Sequence, residues 1–186
     1  MKQLIFLISV VTLVSILVSC SKNDEEDLFK TAKEDLQNQN LEGAKNNLEK
    51  LVNKNPYSEF APEAFFILGQ IYQSMEADSI HRIEYNKIAI DYYNQLINNF
   101  PNHEKAPEAL FMVAFINAEI FKDYNTAGLN YRKFLKMYPT HELAESARLE
   151  LEFLGKSPEE ILKLHGIGDE SKASKLKSMK TKTTNK

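Results

Sequence analysis

Pro56-Tyr57-Ser58-Glu59-Phe60-Ala61-Pro62-Glu63-Ala64-Phe65-Phe66-Ile67-Leu68-Gly69-Gln70-Ile71-Tyr72 is the stretch on which the fold of this 186-residue chain turns. Its frame is a proline, four residues, an alanine, two residues and a second alanine. The frame returns as Pro101, Ala106, Ala109 and again as Pro139, Ala144, Ala147. The copies begin 45 and 38 residues apart, by the proline numbers. Self-similarity at periods of about 20–50 residues marks stacked supersecondary units, none of which buries its apolar face alone. Such an array offers a surface rather than one reactive centre.

Working outward, the apolar spacing between residues 27 and 164 has the helical period near 3.6. The unit from Pro62 to Pro101 carries Phe65, Leu68, Gly69 and Tyr72, then Ala89, Tyr93 and the closing proline. Each has a physical task. Gly69 lets two helices approach where a side chain would hold them apart. Ala89 does the same from the second helix, and Pro101 ends that helix because it has no N–H and clashes with the preceding turn. These positions resemble the tetratricopeptide repeat, with Phe65 in place of its opening tryptophan. Pro107 to Pro139 repeats the scheme with Leu110, Val113, Ala114, Ala127, Tyr131 and Phe134, Ala114 standing in the glycine position and Asn117 in that of the tyrosine. Leu28 to Pro56 is a weaker copy, with Ala32, Ala44, Leu48 and Leu51. A last helix, Leu143 to Leu154, has Glu152 in the glycine position, where an acid cannot be buried, and reads as a polar cap stopped by Gly155.

The resemblance implies an all-α solenoid of about three helix pairs plus a capping helix, occupying residues 27–164. Around Met75 to Ile83 the chain carries about eight residues more than the repeat needs. We expect both helices of the second unit to lengthen by a turn there, with Ala77-Asp78-Ser79 near the corner. The resemblance also implies that the first helix of each pair lines a concave groove. Matching positions are Phe29 and Lys33, then Glu63, Phe66 and Gln70, then Glu108, Phe111 and Phe115, and finally Leu149. Two readings of the phenylalanines stand side by side: exposed aromatic surface for a peptide or partner, or rings buried in the array's own packing.

The ends of the chain are written differently. Lys2, the apolar run Leu4 to Val18 and the small residues after it follow the order of a secretory signal, expected over residues 1–19. The run is shorter than the ~18–20 residues that cross a bilayer. Leu17-Val18-Ser19-Cys20 resembles the lipobox of bacterial lipoproteins, and Cys20 is the only cysteine. That resemblance implies a thioether-linked diacylglycerol and an amide-linked acyl chain on Cys20, enough for stable membrane anchoring. Ser21, where an aspartate would by analogy signal inner-membrane retention, favours the outer membrane. Residues 20–26 then form a short acidic linker. Its run from Lys22 to Asp27 either resembles a surface-export tag or supplies acids to a helix's first turn. Residues 165–186, with six lysines among Ser, Thr and Asn, read as a basic disordered tail.

Charge and motif content narrow the function classes. Residues 20–164 hold 16 basic and 24 acidic side chains, an excess that argues against nucleic acid as a partner. The four histidines, His81, His103, His141 and His165, are scattered, and HExxH, CxxC and Gly-rich phosphate loops are absent. We therefore expect no catalytic residues, metal, cofactor or small-molecule substrate, with His81 and Glu84 as a solvated surface pair. Leu164-His165-Gly166-Ile167-Gly168 mimics a helix-hairpin-helix DNA module. It lacks the alanine that packs that hairpin, because Lys172 stands there. The whole body is similar to small tetratricopeptide lipoproteins of the outer membrane. Asn55-Pro56-Tyr57 through Tyr72 and Phe100-Pro101-Asn102-His103 resemble the BamD type, which helps assemble outer-membrane β-barrels. They also resemble the periplasmic CpoB (YbgF) type of the Tol–Pal system. The resemblance implies an interaction scaffold whose partners are other envelope proteins, the β-barrel assembly machinery among them.

Overall fold

A computed structural model describes residues 24–75 and 78–164. Among the described residues there are eight helices and no strand. They are α1 (24–37), α2 (Leu41–Lys54), α3 (Ala61–Ser74), α4 (Ser79–Asn99), α5 (Ala106–Glu119), α6 (Tyr124–Met137), α7 (Ala144–Phe153) and α8 (Pro158–Leu164). From α2 to α7 each helix packs against the next in sequence. Contact dominated by sequence neighbours is the signature of a solenoid. The expected three helix pairs are α1–α2, α3–α4 and α5–α6, with α7 as the cap.

Local chemistry fixes the helix ends. The second helix of each pair starts on a side-chain cap that takes up free N–H groups. Asn40 accepts from the Gly43 amide, Asp78 from those of Ile80 and His81, and Asp123 from that of Thr126. In the first and third pairs the residue before the cap, Gln39 or Lys122, is left-handed at φ 59° and 54°, which turns the chain within a few residues. The corner before each first helix is also repeated. Its third residue, Ser58, His103 or His141, accepts the amide hydrogen two residues on, at 3.3, 3.2 and 3.2 Å. Ala61-Pro62 and Ala106-Pro107 then open α3 and α5, with proline where no intrahelical N–H is needed.

The six alanines of the repeated frame are all buried, as are Ala32, Ala44, Ala89, Ala114 and Ala127. Their small side chains let neighbouring helices close onto Leu48, Leu51, Phe65, Leu68, Tyr93, Leu96, Leu110, Tyr131 and Phe134, all essentially fully buried. Gly69 is packed directly: a Cβ there would lie 2.4 Å from a ring carbon of Tyr93. Glu152, in the same position of α7, is exposed.

Three expectations are corrected. The extra residues of the second unit lengthen α4 alone, to 21 residues, while α3 keeps 14. Met75 leaves the helical region at ψ 123°, ending α3, and Asp78 starts a new helix that absorbs the surplus as about two turns. Residues 24–26 are helical and held to α2, not a linker: Lys54 pairs with Asp24 at 2.8 Å, and the Asn55 amide donates to the buried Glu25 at 3.2 Å. After Gly155, at φ 73°, the chain forms the short α8, which the reading of the sequence did not contain. The expected signal (1–19), Cys20 and the basic tail (165–186) lie outside the described residues.

Candidate interaction groove

The groove positions divide into two sets. Phe29, 9% exposed, stacks on Phe60 at 5.2 Å between ring centroids. Phe66, 6% exposed, lies 5.8 Å from Tyr93. Each of these rings is lidded by a lysine. Lys33 Nζ sits 5.3 Å from the Phe29 centroid and 3.3 Å from Glu63 Oε1, joining α1 to α3. Lys105 Nζ sits 5.5 Å from the Phe66 centroid and 2.8 Å from Glu108 Oε1, joining α3 to α5. The bond to Glu108, first among its causes, raises the Lys105 pKa. Phe29 and Phe66 are therefore core, because the stacked first helices close over them. They do not offer the free aromatic surface that their spacing allowed.

Further along, the face opens. Phe111 is half-buried, 5.5 Å from Tyr131 and 5.9 Å from Phe134. Phe115 is half-buried, Leu149 is 43% exposed and Gln70 is exposed. The accessible apolar part of the groove thus lies on α5 and α7, with Gln70 as a polar flank.

Helical spacing adds positions that the sequence reading missed. Gln73 lies seven residues beyond Phe66, and Ala118 seven beyond Phe111, so each continues its own groove face. The buried Tyr93 hydroxyl donates to Gln73 Oε1 at 2.6 Å. Tyr131 holds the equivalent place one unit on, yet its hydroxyl has no hydrogen-bond partner among the described residues. Burial first, then the charges of Glu150 on α7 and Glu119 at the end of α5, raise its pKa. Periodicity alone would have found Gln73 and Ala118.

A second polar group is structural. Tyr72 and Tyr92 both donate to Glu49 Oε1, at 2.6 and 3.4 Å, tying α3 and α4 to α2. Burial, then the Glu49 charge, pushes the Tyr92 pKa up to about 12 and raises that of Tyr72 too. The histidines also resolve into structure. His103 and His141 are corner acceptors, and His81 pairs with Asp78 at 3.0 Å rather than with Glu84. His165 lies outside the described residues. Among the described residues no group of three or more His, Cys, Asp or Glu side chains is placed to hold a metal. No helix among them is long and apolar enough to cross a membrane.

Stacked helix pairs whose first helices share an open face define a protein-interaction scaffold. The family model for the tetratricopeptide repeat matches residues 19–120, more than half of the chain, and the chain belongs to that family. The match runs from ahead of α1 to the end of α5. No curated protein matches this chain. Tetratricopeptide repeats generally bind other proteins and are typically non-enzymatic scaffolds.

Proposed function

We propose that this chain is a lipid-anchored scaffold that holds another envelope protein at the outer membrane, in a role like that of the BamD type in β-barrel assembly. The observation that carries the binding role is the apolar surface of the half-buried Phe111 and Phe115 and the exposed Leu149, which the solenoid's own packing covers only in part. The anchoring rests on Leu17-Val18-Ser19-Cys20 and on Cys20 being the only cysteine. Asp24 and Glu25 are engaged with α2. That supports a helix-end role for the acidic run over an export tag, and so a periplasm-facing protein.

Photo-crosslinking in living cells, with the crosslinker at the exposed position 70, followed by identification of the attached protein, tests the reading. Capture of a barrel-assembly component is the expected result, lost when Phe115 and Leu149 are both changed to Ala in a chain that still folds. Capture that is unchanged in that variant sinks the groove. Specific capture of Tol–Pal components instead would assign the CpoB-like role. Digestion by protease added to intact cells would turn the protein outward, as a surface ligand-binding lipoprotein.

A further inference from the structure

The three second helices share a buried alanine: Ala44 in α2, Ala89 in α4 and Ala127 in α6. Two residues beyond it stand Asn46, Asp91 and Leu129, all exposed. Only the third unit puts an apolar side chain there, and Leu129 is 63% exposed. On a helix the positions three, four and seven residues on lie around such a site. In the second unit they hold Asn94, Gln95 and Asn98, none of them charged. In the third they hold Arg132, Lys133 and Lys136, all exposed. One repeat position has thus changed from a neutral polar face to a leucine ringed by cations.

Those cations are uncompensated. From Tyr124 to Met137, α6 has three basic residues and no acid, whereas α4 sets Arg82 and Lys87 against Glu84 and Asp91. Residues 20–164 hold 24 acids to 16 bases, so partners are plentiful in the chain. Lys33, Lys54 and Lys105 each find one. Arg132, Lys133 and Lys136 make no ion pair or side-chain hydrogen bond among the described residues. The helix dipole accounts for Lys136, which lies in the last turn. It does not account for Arg132 and Lys133, a turn earlier, or for the bare leucine between them.

An anion with an apolar contact of its own satisfies this face. Basic clusters that bind anionic lipid hold about 4–8 Lys or Arg. This one has three, on a body whose acid excess an anionic leaflet repels, and a single leucine gives little purchase in a bilayer. A helix does better, because carboxylates spaced along one side meet all three cations while an apolar residue between them meets Leu129. The whole face spans two turns, or about 10 Å. We propose that the outer face of α6, centred on Leu129 and rimmed by Arg132, Lys133 and Lys136, is a docking surface for an acidic amphipathic helix of a partner protein. It belongs to the layer of second helices, so it stands or falls independently of the groove that the first helices line.

The test places a photo-crosslinker at the exposed position 125, one turn ahead of Leu129, in the full-length chain in living cells. Mass spectrometry then identifies the adduct and maps the point of attachment. The expected adduct is a protein segment with an excess of Asp and Glu. A synthetic peptide of that segment should bind the purified full-length chain in detergent micelles, and added salt should weaken the binding. Replacing Arg132→Asn, Lys133→Gln and Lys136→Asn together should weaken it about tenfold, the sum of three exposed ion pairs. Those residues are the second unit's own, so helix content by circular dichroism should be kept. Leu129→Asn, the first unit's residue, should weaken binding several-fold. The salt titration of the unaltered chain reads the charge pairing without any substitution. No adduct at position 125, an adduct with lipid, a captured segment without an acid excess, or binding indifferent to salt and to the triple substitution overturns the proposal.

Discussion

Replacing Gly69 by alanine tests whether the second helix pair is closed by direct contact between a glycine and a ring. An added Cβ would lie 2.4, 2.6 and 2.8 Å from three ring carbons of Tyr93. Carbon atoms settle at about 3.5–4 Å, so the ring or the helix must retreat by roughly 1 Å. The ring has nowhere to go. It is fully buried, its hydroxyl is fixed on Gln73 at 2.6 Å and Phe66 stands 5.8 Å away. Overpacking of this kind costs about 1–3 kcal/mol, and stretching the tyrosine's hydrogen bond adds about 1 kcal/mol. Alanine's better helix propensity returns about 1 kcal/mol. The net loss is about 1–3 kcal/mol, or about 3–9 °C in melting temperature for an array of this size. Urea and thermal unfolding followed by circular dichroism would measure it. Tyr93→Leu should abolish most of the penalty in the double variant, because the facing ring is gone. A Gly69→Ala chain that is more stable by about 1 kcal/mol, the propensity gain alone, would refute the contact.

Four further outcomes follow from the same geometry. Tyr93→Phe removes a satisfied buried bond and should lower stability by about 1 kcal/mol, whereas Tyr131→Phe should leave urea stability equal or higher; equal losses would show that the Tyr131 hydroxyl is paired. Glu150 has a raised pKa, so its ionisation works against folding as pH climbs above the ordinary carboxylate range. Glu150→Gln should therefore raise the melting temperature at pH 7, with the gain fading as pH falls towards about 4; a gain that is flat with pH would contradict this. At the repeated corner, His103→Ser should keep its stability because Ser58 already does that job, while His103→Ala loses about 0.5–1.5 kcal/mol in a thermal melt. Asp78→Ala removes the cap of the lengthened α4 and should cost about 1 kcal/mol, seen as faster limited proteolysis after Arg82.

Much of this fold was legible because the repeat writes its packing into small residues. Pro56, Pro101 and Pro139, with their alanine pairs, mark three corners, and Gly69, Ala89 and Ala114 mark close helix contacts. What the sequence left unread has physical causes. The surplus around Met75 to Ile83 could lengthen either helix, and the choice rested on where Asp78 caps, a contest between nearby polar residues. The groove phenylalanines share one spacing, yet Phe29 and Phe66 are buried and Phe115 is not. Spacing places a side chain on a face, but the next helix decides whether the face is covered. Lys33 and Lys105 belong to that decision, since each covers a ring of a first helix: Lys33 also bonds Glu63 on the next first helix, and Lys105 reaches Phe66 from the start of α5 while bonding Glu108 in its own first turn.

The repeat also provides an internal control on where function lies. Between the second and third units the core is kept: Phe65 and Leu110 are buried, as are Tyr93 and Tyr131. On the first helix the differences gather at one end, where Gly69, Tyr72 and Gln73 become Ala114, Asn117 and Ala118. In the second unit that end is closed by bonds from Tyr72 to Glu49 and from Tyr93 to Gln73. In the third, Asn117 turns back to its own helix, donating to the Val113 carbonyl at 2.7 Å, and Tyr131 is left unpaired. A sequence that satisfies its polar groups in one unit and abandons the same solution in the next has relaxed a local rule. Such exceptions collect at functional sites, where stability is given up for binding. Here the exception sits beside the half-buried Phe111, whose ring lies 5.5 Å from that of Tyr131. Glu150→Gln, which removes a charge that burial disfavours on the neighbouring α7, should then give a firmer fold at pH 7.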